Sequence, residues 1–308
     1  MPDYNIQQEE PVEISELETT ENNDLSKSSE SITVDESIAE DILATQADTA
    51  VVVGTVSDYL TAKGDAKLYN INLPAGVYLQ AQLTTPANAD LDYDLYLLDA
   101  EGNILTGSDY YTYINGTAGT LPEALGYITS GDTATYYLYV LASEGGSVSE
   151  SFTLDYSVST ACDSYEIDES VRQALAFTYG AGGAYIESRN LSSPIDNDWY
   201  VITVPSSRIY DKLKISATTA STNTCSVEVY QNVASEGYQM KRVGSGNTIS
   251  VSSGKYYIRV SNAKTMENFD DLDIQNYKLS ITPILKATGI VITDLKLSLI
   301  HISEPTRH

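Results

Sequence analysis

The stretch Ile195-Asp-Asn-Asp-Trp-Tyr-Val-Ile-Thr-Val-Pro205 constrains this chain more than any other. Two carboxylates, Asp196 and Asp198, precede a run with the period of a β-strand. Tyr200, Ile202 and Val204 fall on one face, and Trp199, Val201 and Thr203 on the other. The frame recurs as Asp65-Ala-Lys-Leu-Tyr-Asn-Ile-Asn-Leu-Pro74, which reads as two copies of one domain.

The rest of the chain repeats in the same order. Val34-Asp-Glu-Ser-Ile38 is echoed by Ile167-Asp-Glu-Ser-Val171. After the turn signal Pro74-Ala-Gly76, Val77, Leu79, Ala81 and Leu83 alternate with Tyr78, Gln80 and Gln82, as in a half-buried strand. In the second copy Leu213, Ile215 and Ala217 alternate with Lys212, Lys214 and Ser216. Late in each copy a Tyr-Tyr pair marks a strand, at Tyr136–Val140 and Tyr256–Val260; closing strands follow at Phe152–Val158 and Tyr277–Pro283. Short turn-separated strands without an amphipathic helix predict an all-β protein of two tandem antiparallel β-sandwiches, jelly-roll-like. A period of roughly 130 residues is too long for a solenoid and fits tandem domains.

The expected organisation is a disordered acidic segment over 1–30, a first sandwich over 31–160 and a second over 161–285. A truncated immunoglobulin-like start is expected over 286–296, where Ala287-Thr-Gly-Ile-Val-Ile-Thr-Asp294 looks like an opening strand. Residues 1–30 have Lys27 as the one basic residue and Tyr4 as the one aromatic, too little apolar surface to offset ordering. No apolar leader precedes them; a secreted protein needs one, so the expectation is either that the coding sequence begins earlier or that the fragment is incomplete at this end too. Residues 297–308 include Leu297-Ser-Leu-Ile-His-Ile-Ser-Glu-Pro-Thr-Arg307, which looks like translated sequencing adapter, and both histidines, His301 and His308, lie there. The native protein is expected to continue beyond Lys296.

The chain has 308 residues with 43 acidic against 17 basic, a formal charge of −26. That disfavours nucleic acid and anionic membranes, which need a basic footprint, and is compatible with divalent cations. No apolar run approaches the roughly 20 residues of a spanning helix, so no membrane insertion is expected. Aromatics are dominated by tyrosine, 24 against three Phe and one Trp, a β-rich profile common on extracellular modules. Cys162 and Cys225 would pair in an oxidising compartment and be free thiols otherwise.

Taken together, Asp163-Ser-Tyr-Glu166-Ile-Asp168, Asp196–Val204, Gly254-Lys-Tyr-Tyr-Ile-Arg-Val260 and Tyr277-Lys-Leu-Ser-Ile281 resemble the bacterial pre-peptidase C-terminal domain. The collagen-binding modules of clostridial collagenases are similar to it. The first copy resembles the same family through Leu73-Pro-Ala-Gly76, Asp92-Tyr-Asp94-Leu-Tyr-Leu and Tyr136–Val140. The resemblance implies a non-catalytic sandwich attached to secreted peptidases or other surface proteins, with a calcium site in some members. It places the ligands on Glu166, Asp168, Asp196 and Asp198, with Asp163 as a further candidate. Such hard oxygens suit a cation that takes roughly six to eight of them, whereas alone they repel one another. In the first copy Thr33 stands in place of Glu166 and Lys67 in place of Asp198, although Asp35 and Asp65 are kept; no calcium is expected there.

Asp90, Asp92, Asp94 and Glu101 match the spacing of an EF-hand loop, but Leu95 stands where its sharp turn needs glycine. A strand with solvent-facing or turn-bonding aspartates is the expectation instead. Without a natural histidine, Ser or Cys nucleophiles lack their usual base, and no enzymatic activity is expected. Tyr110, Tyr111 and Tyr113 are candidates for an aromatic platform. The favoured reading is a monomeric fragment of a secreted or cell-surface bacterial protein, an accessory module that binds an extracellular protein or polysaccharide. A structural spacer in a surface stalk is the alternative.

Overall fold

The computed structural model describes residues 29–31, 51–109, 121–160, 162–219, 225–235, 237–245, 247–263 and 275–286. Tyr110, Tyr111 and Tyr113, the acidic segment up to residue 28, and the tail from 287 lie outside them. The first sandwich contains β1 (Ser29–Ser31), β2 (Val51–Asp58), β3 (Ala66–Leu73), β4 (Tyr78–Thr84), β5 (Asp92–Leu98), β6 (Ile104–Ser108), β7 (Glu123–Ile128), β8 (Ala134–Glu144) and β9 (Phe152–Ser159). The second contains β10 (Leu175–Ala176), β11 (Ala184–Leu191), β12 (Asn197–Val204), β13 (Tyr210–Thr219), β14 (Ser226–Asn232), β15 (Met240–Ser245), β16 (Thr248–Ser250), β17 (Gly254–Ser261) and β18 (Gln275–Leu285). Among the described residues there is no helix.

The repeat seen in sequence is a repeat of topology. The first unit pairs its strands in the orders β1-β3-β8-β5-β6 and β2-β9-β4-β7. The second pairs them as β10-β12-β17-β14-β15 and β11-β18-β13-β16, the same two orders strand for strand. In each unit the first strand of the five-stranded sheet runs parallel to its neighbour, β1 on β3 and β10 on β12. The sheets otherwise pair antiparallel, for example β3 with β8 and β12 with β17.

Period-2 alternation builds each core. Ile71, Leu79, Leu95, Leu138 and Leu154 meet between the sheets of the first unit. Ile202, Leu213, Ile215, Ile258 and Leu279 do so in the second. Burial of such side chains is the main favourable term for a sandwich of this size.

Two strands depart from the half-buried expectation. Trp199 and Val201, on the outer face of β12, are buried in a further cluster with Tyr230, Met240 and Tyr257. The lead-in to the second sandwich covers that face through Val171, and Leu121 of the first sandwich joins it. Trp199 N–H donates to the Asp168 carbonyl at 3.0 Å, so the lead-in runs alongside β12. On its other side the lead-in lies on the outer face of β4, where Tyr78 and Gln80 are each only 1% exposed. Gly126 on β7 makes room for it: a Cβ there would stand 2.7 Å from Glu169 Cγ.

Cys162 and Cys225 are free thiols, so the pairing considered from sequence is not formed. Burial first, then nearby carboxylates, pushes them up to about 11 and about 12, which keeps both as thiols rather than reactive thiolates. Asp92–Leu98 is a strand as expected, yet Asp94 does not face solvent. It accepts hydrogen bonds from Tyr96 and Ser143, and burial pushes it up to about 7.

Candidate metal centre at the junction of the sandwiches

Three segments converge where the second sandwich begins: the lead-in from Asp163 to Glu169, the end of β11, and the start of β12. The Asp196 turn is local chemistry. Its Oδ2 accepts the Ser192 N–H and, at 2.8 Å, the Ser192 hydroxyl. In the first unit Asp65 does the same with Thr61. Arg189 arrives by a different device. A register shift between Ile186 and Arg189, with Ser188 at φ 63°, inserts an extra residue into β11. The bulge turns Arg189 inward, where plain alternation from Ile186 would point it to solvent.

Arg189 is fully buried and divides the carboxylates into two groups. It donates to Asp163 at 2.7 Å, to Asp198 at 2.5 Å and to Asp168, and its Nε donates to the Tyr200 hydroxyl at 2.8 Å. Tyr277 also donates to Asp198, and the Asn190 N–H donates to Asp163 at 2.9 Å. Thus Asp163, Asp168 and Asp198 share one guanidinium. The fork geometry of arginine suits several carboxylates at once.

The other group is Glu166, Glu169 and Asp196. Each offers an oxygen, and the three lie within 4.8 Å of one another. Glu169 Oε1 accepts from the Tyr78 hydroxyl at 2.5 Å and from the Gln80 amide at 2.7 Å. Its Oε2 accepts the Asn197 N–H at 2.9 Å, and Tyr78 also donates to Glu166 at 2.8 Å. Glu166 Oε1, Asp196 Oδ1, Asp168 Oδ1 and Gln80 Oε1 are buried acceptors without a hydrogen-bond partner. A second oxygen set, Asp163, Glu166 and Asp198, is equally compact, but Arg189 and Tyr277 already occupy its aspartates.

Burial and mutual repulsion drive these acids towards the neutral form. Glu166 is pushed up to about 9 and Asp196 to about 6, burial being the first cause in both. Asp168, Asp198 and Glu169 are held well above the usual carboxylate range, again first by burial and then by neighbouring carboxylates. Either protons or a cation can relieve such a cluster. Once ionised, carboxylate oxygens of this kind fit a hard divalent cation and offer nothing for a soft one.

The structure therefore brings together all five acids singled out in sequence and adds two groups that sequence reasoning missed. Glu169 was visible in the echo with Glu36, without a role assigned to it. Arg189 carried no signal, because a bulge rather than a pattern brings it inside. In the first unit Lys67 pairs with Asp58 at 2.8 Å.

No family model and no curated protein matches the chain. Similarity to solved structures is remote. A periplasmic inhibitor of g-type lysozyme from Aeromonas hydrophila is 10% identical over 42% of this chain and 96% of its own, with a TM-score of 0.24. The tandem CBM51 modules of a family 98 glycoside hydrolase from Streptococcus pneumoniae are 9% identical, over 75% of this chain and 84% of theirs, with a TM-score of 0.25. The CUB1-EGF-CUB2 domains of rat MASP-1 give 11%, 75%, 97% and 0.23 for the same quantities. Scores this low carry no reading of function.

Proposed function

We propose that the chain is a non-catalytic accessory module of the pre-peptidase C-terminal type, from a secreted or cell-surface bacterial protein, that holds an extracellular polymer. In this reading calcium bound by Glu166, Glu169 and Asp196 fixes the two sandwiches relative to each other. The observation that carries it is the oxygen triad at their junction, with Glu166 Oε1 and Asp196 Oδ1 buried and unpartnered and with Tyr78 and Gln80 of the first sandwich bonded to Glu169. Asp163, Asp168 and Asp198 are then partners of Arg189 that frame the site, rather than ligands. Calcium supplies positive charge that Arg189, bonded to the three aspartates, does not deliver by direct contact to this triad. Calorimetric titration of calcium into chelator-treated protein tests this. Asp196→Asn and Glu169→Gln should abolish the binding heat, and Asp99→Asn, in an exposed turn, should leave it intact.

Polymer binding has separate support. On the outer face of β8, Tyr137 and Tyr139 are half-exposed, and Tyr96 lies beside Tyr139 with ring centroids 6.2 Å apart. Rings presented in this way suit sugar faces or the side chains of a fibrous protein. Retention on immobilised polysaccharides or collagen that is lost in Tyr137→Ala/Tyr139→Ala would support a binding module. Absence of retention across such a panel would favour the spacer, which the same stiff joint serves equally well.

A further inference from the structure

In the first sandwich, the outer face of β2-β9-β4-β7 is where the next domain's acidic lead-in rests. Tyr78 and Gln80 on β4 are 1% exposed, and Ser157 and Ser159 on β9 are 0% exposed. Gly126 on β7 touches the lead-in as well. Strand register identifies the matching positions in the second sandwich. Gln80 lies opposite Ser157 and Gly126, and Lys214 lies opposite Thr282 and Thr248. Tyr78 lies opposite Ser159, and Lys212 opposite Ile284.

Every one of these counterparts is exposed. Lys212, Lys214, Thr248 and Thr282 face solvent, and Ile284 is 38% exposed. The substitutions also change the charge. Where the first face offers a tyrosine hydroxyl and an amide to Glu169, the second offers two ammonium groups, in a chain of net charge −26. No ion pair involves Lys212 or Lys214 among the described residues. Lys278, on the same face, is already held by Glu187 at 2.8 Å.

A surface of this shape and sign fits one kind of occupant, an acidic lead-in like the one seated on the first sandwich. The chain carries a second such segment, Val34-Asp-Glu-Ser-Ile38, the echo of Ile167-Asp-Glu-Ser-Val171. In that echo Glu36 stands in the place of Glu169, although it follows β1 whereas Glu169 precedes β10. We propose that the β11-β18-β13-β16 face of the second sandwich seats residues Val34–Ile38 of a second copy, joining copies head to tail. The contact is heterologous and does not close on itself, so it builds a row rather than a dimer. Within one chain the lead-in is tethered at an effective concentration of order millimolar; between copies that help is absent, and association is weak and salt-sensitive.

Sedimentation velocity of the full chain, from micromolar to millimolar concentration at low and high salt, tests the proposal. The wild type should associate progressively and dissociate with salt. Lys212→Glu/Lys214→Glu should be monomeric, and so should Asp35→Lys/Glu36→Lys, with Trp199 emission unchanged in both to show intact sandwiches. Mixing the two variants should restore association as a row in which the two alternate, because each lead-in then meets a face of opposite sign. A chain that stays monomeric at every concentration overturns the proposal. So does association that survives either charge reversal, or a mixture of the two variants that stays monomeric.

Discussion

Asp58 and Arg189 occupy equivalent places in the two sandwiches with opposite charge. Asp58 closes β2 opposite Phe152, and Arg189 stands on β11 opposite Tyr277. Each faces the residue two places before the central tyrosine of the next strand. Asp58 meets Lys67 at 2.8 Å, and Arg189 meets Asp198 at 2.5 Å. The tyrosine joins both pairs: Tyr69 donates to Asp58 at 3.1 Å, and Tyr200 accepts from Arg189 at 2.8 Å. One scaffold thus holds an ion pair in either polarity. Only in the second polarity does a guanidinium with donors to spare draw in Asp163 and Asp168.

Removing that guanidinium should be costly. Arg189→Met leaves three buried carboxylates without their shared partner, and breaking a buried pair in this way costs about 3–5 kcal/mol. Urea unfolding followed by Trp199 emission measures it. Lys67→Met, whose side chain and partner are both partly exposed, should cost less than about 1 kcal/mol in the same assay.

The seat of the lead-in can be tested without touching a charge. A side chain at Gly126 would collide with Glu169 Cγ and the Tyr78 hydroxyl, each 2.7 Å from the added Cβ. Gly126→Val should lift the lead-in from β4, costing about 1–3 kcal/mol as overpacking does. Proteolysis around Glu166–Val171 should accelerate while the cores of both sandwiches stay protected from hydrogen exchange.

Stability of the calcium-free protein should fall as pH rises. Folded Glu166 titrates at about 9 rather than 4.5, and folded Asp196 at about 6 rather than 3.8, so the folded state holds more protons than the unfolded between those limits. Stability is complete below the unfolded values and is lost as pH climbs through the folded ones. Calcium should flatten or reverse that slope, since it replaces the protons. Melting temperature followed from pH 5 to pH 9 (about the span of the shifts), with calcium and with chelator, reads the difference. Asp92 and Asp94, raised to about 6 and about 7 in the first sandwich, contribute to both arms and cancel.

The strands of both cores were legible in sequence, because the alternation of Leu79 with Gln80 or of Ile202 with Thr203 is local information. What covers the outer faces was not. Burial of Tyr78, Gln80 and Trp199 depends on where the lead-in folds back, a long-range contact that leaves no periodic mark. The acids were legible as a pair of clusters, Glu166–Glu169 and Asp196–Asp198. Their division into an arginine-bound group and a triad that arginine does not contact was not, since it turns on the bulge at Ser188. Asp94 was misplaced for a similar reason: alternation sets it on the outer face of β5 but does not show that this face is covered there.

Terbium luminescence tests the cation site most directly. Trp199, the one tryptophan in the chain, adjoins Asp198 and hydrogen-bonds the lead-in at Asp168, so it should sensitise a lanthanide held beside Glu166, Glu169 and Asp196. Terbium added to chelator-treated wild type should give sensitised emission that calcium displaces, and Glu169→Gln and Asp196→Asn should give none. Wild-type protein that stays dark, or variants as bright as wild type, would contradict a cation at this junction.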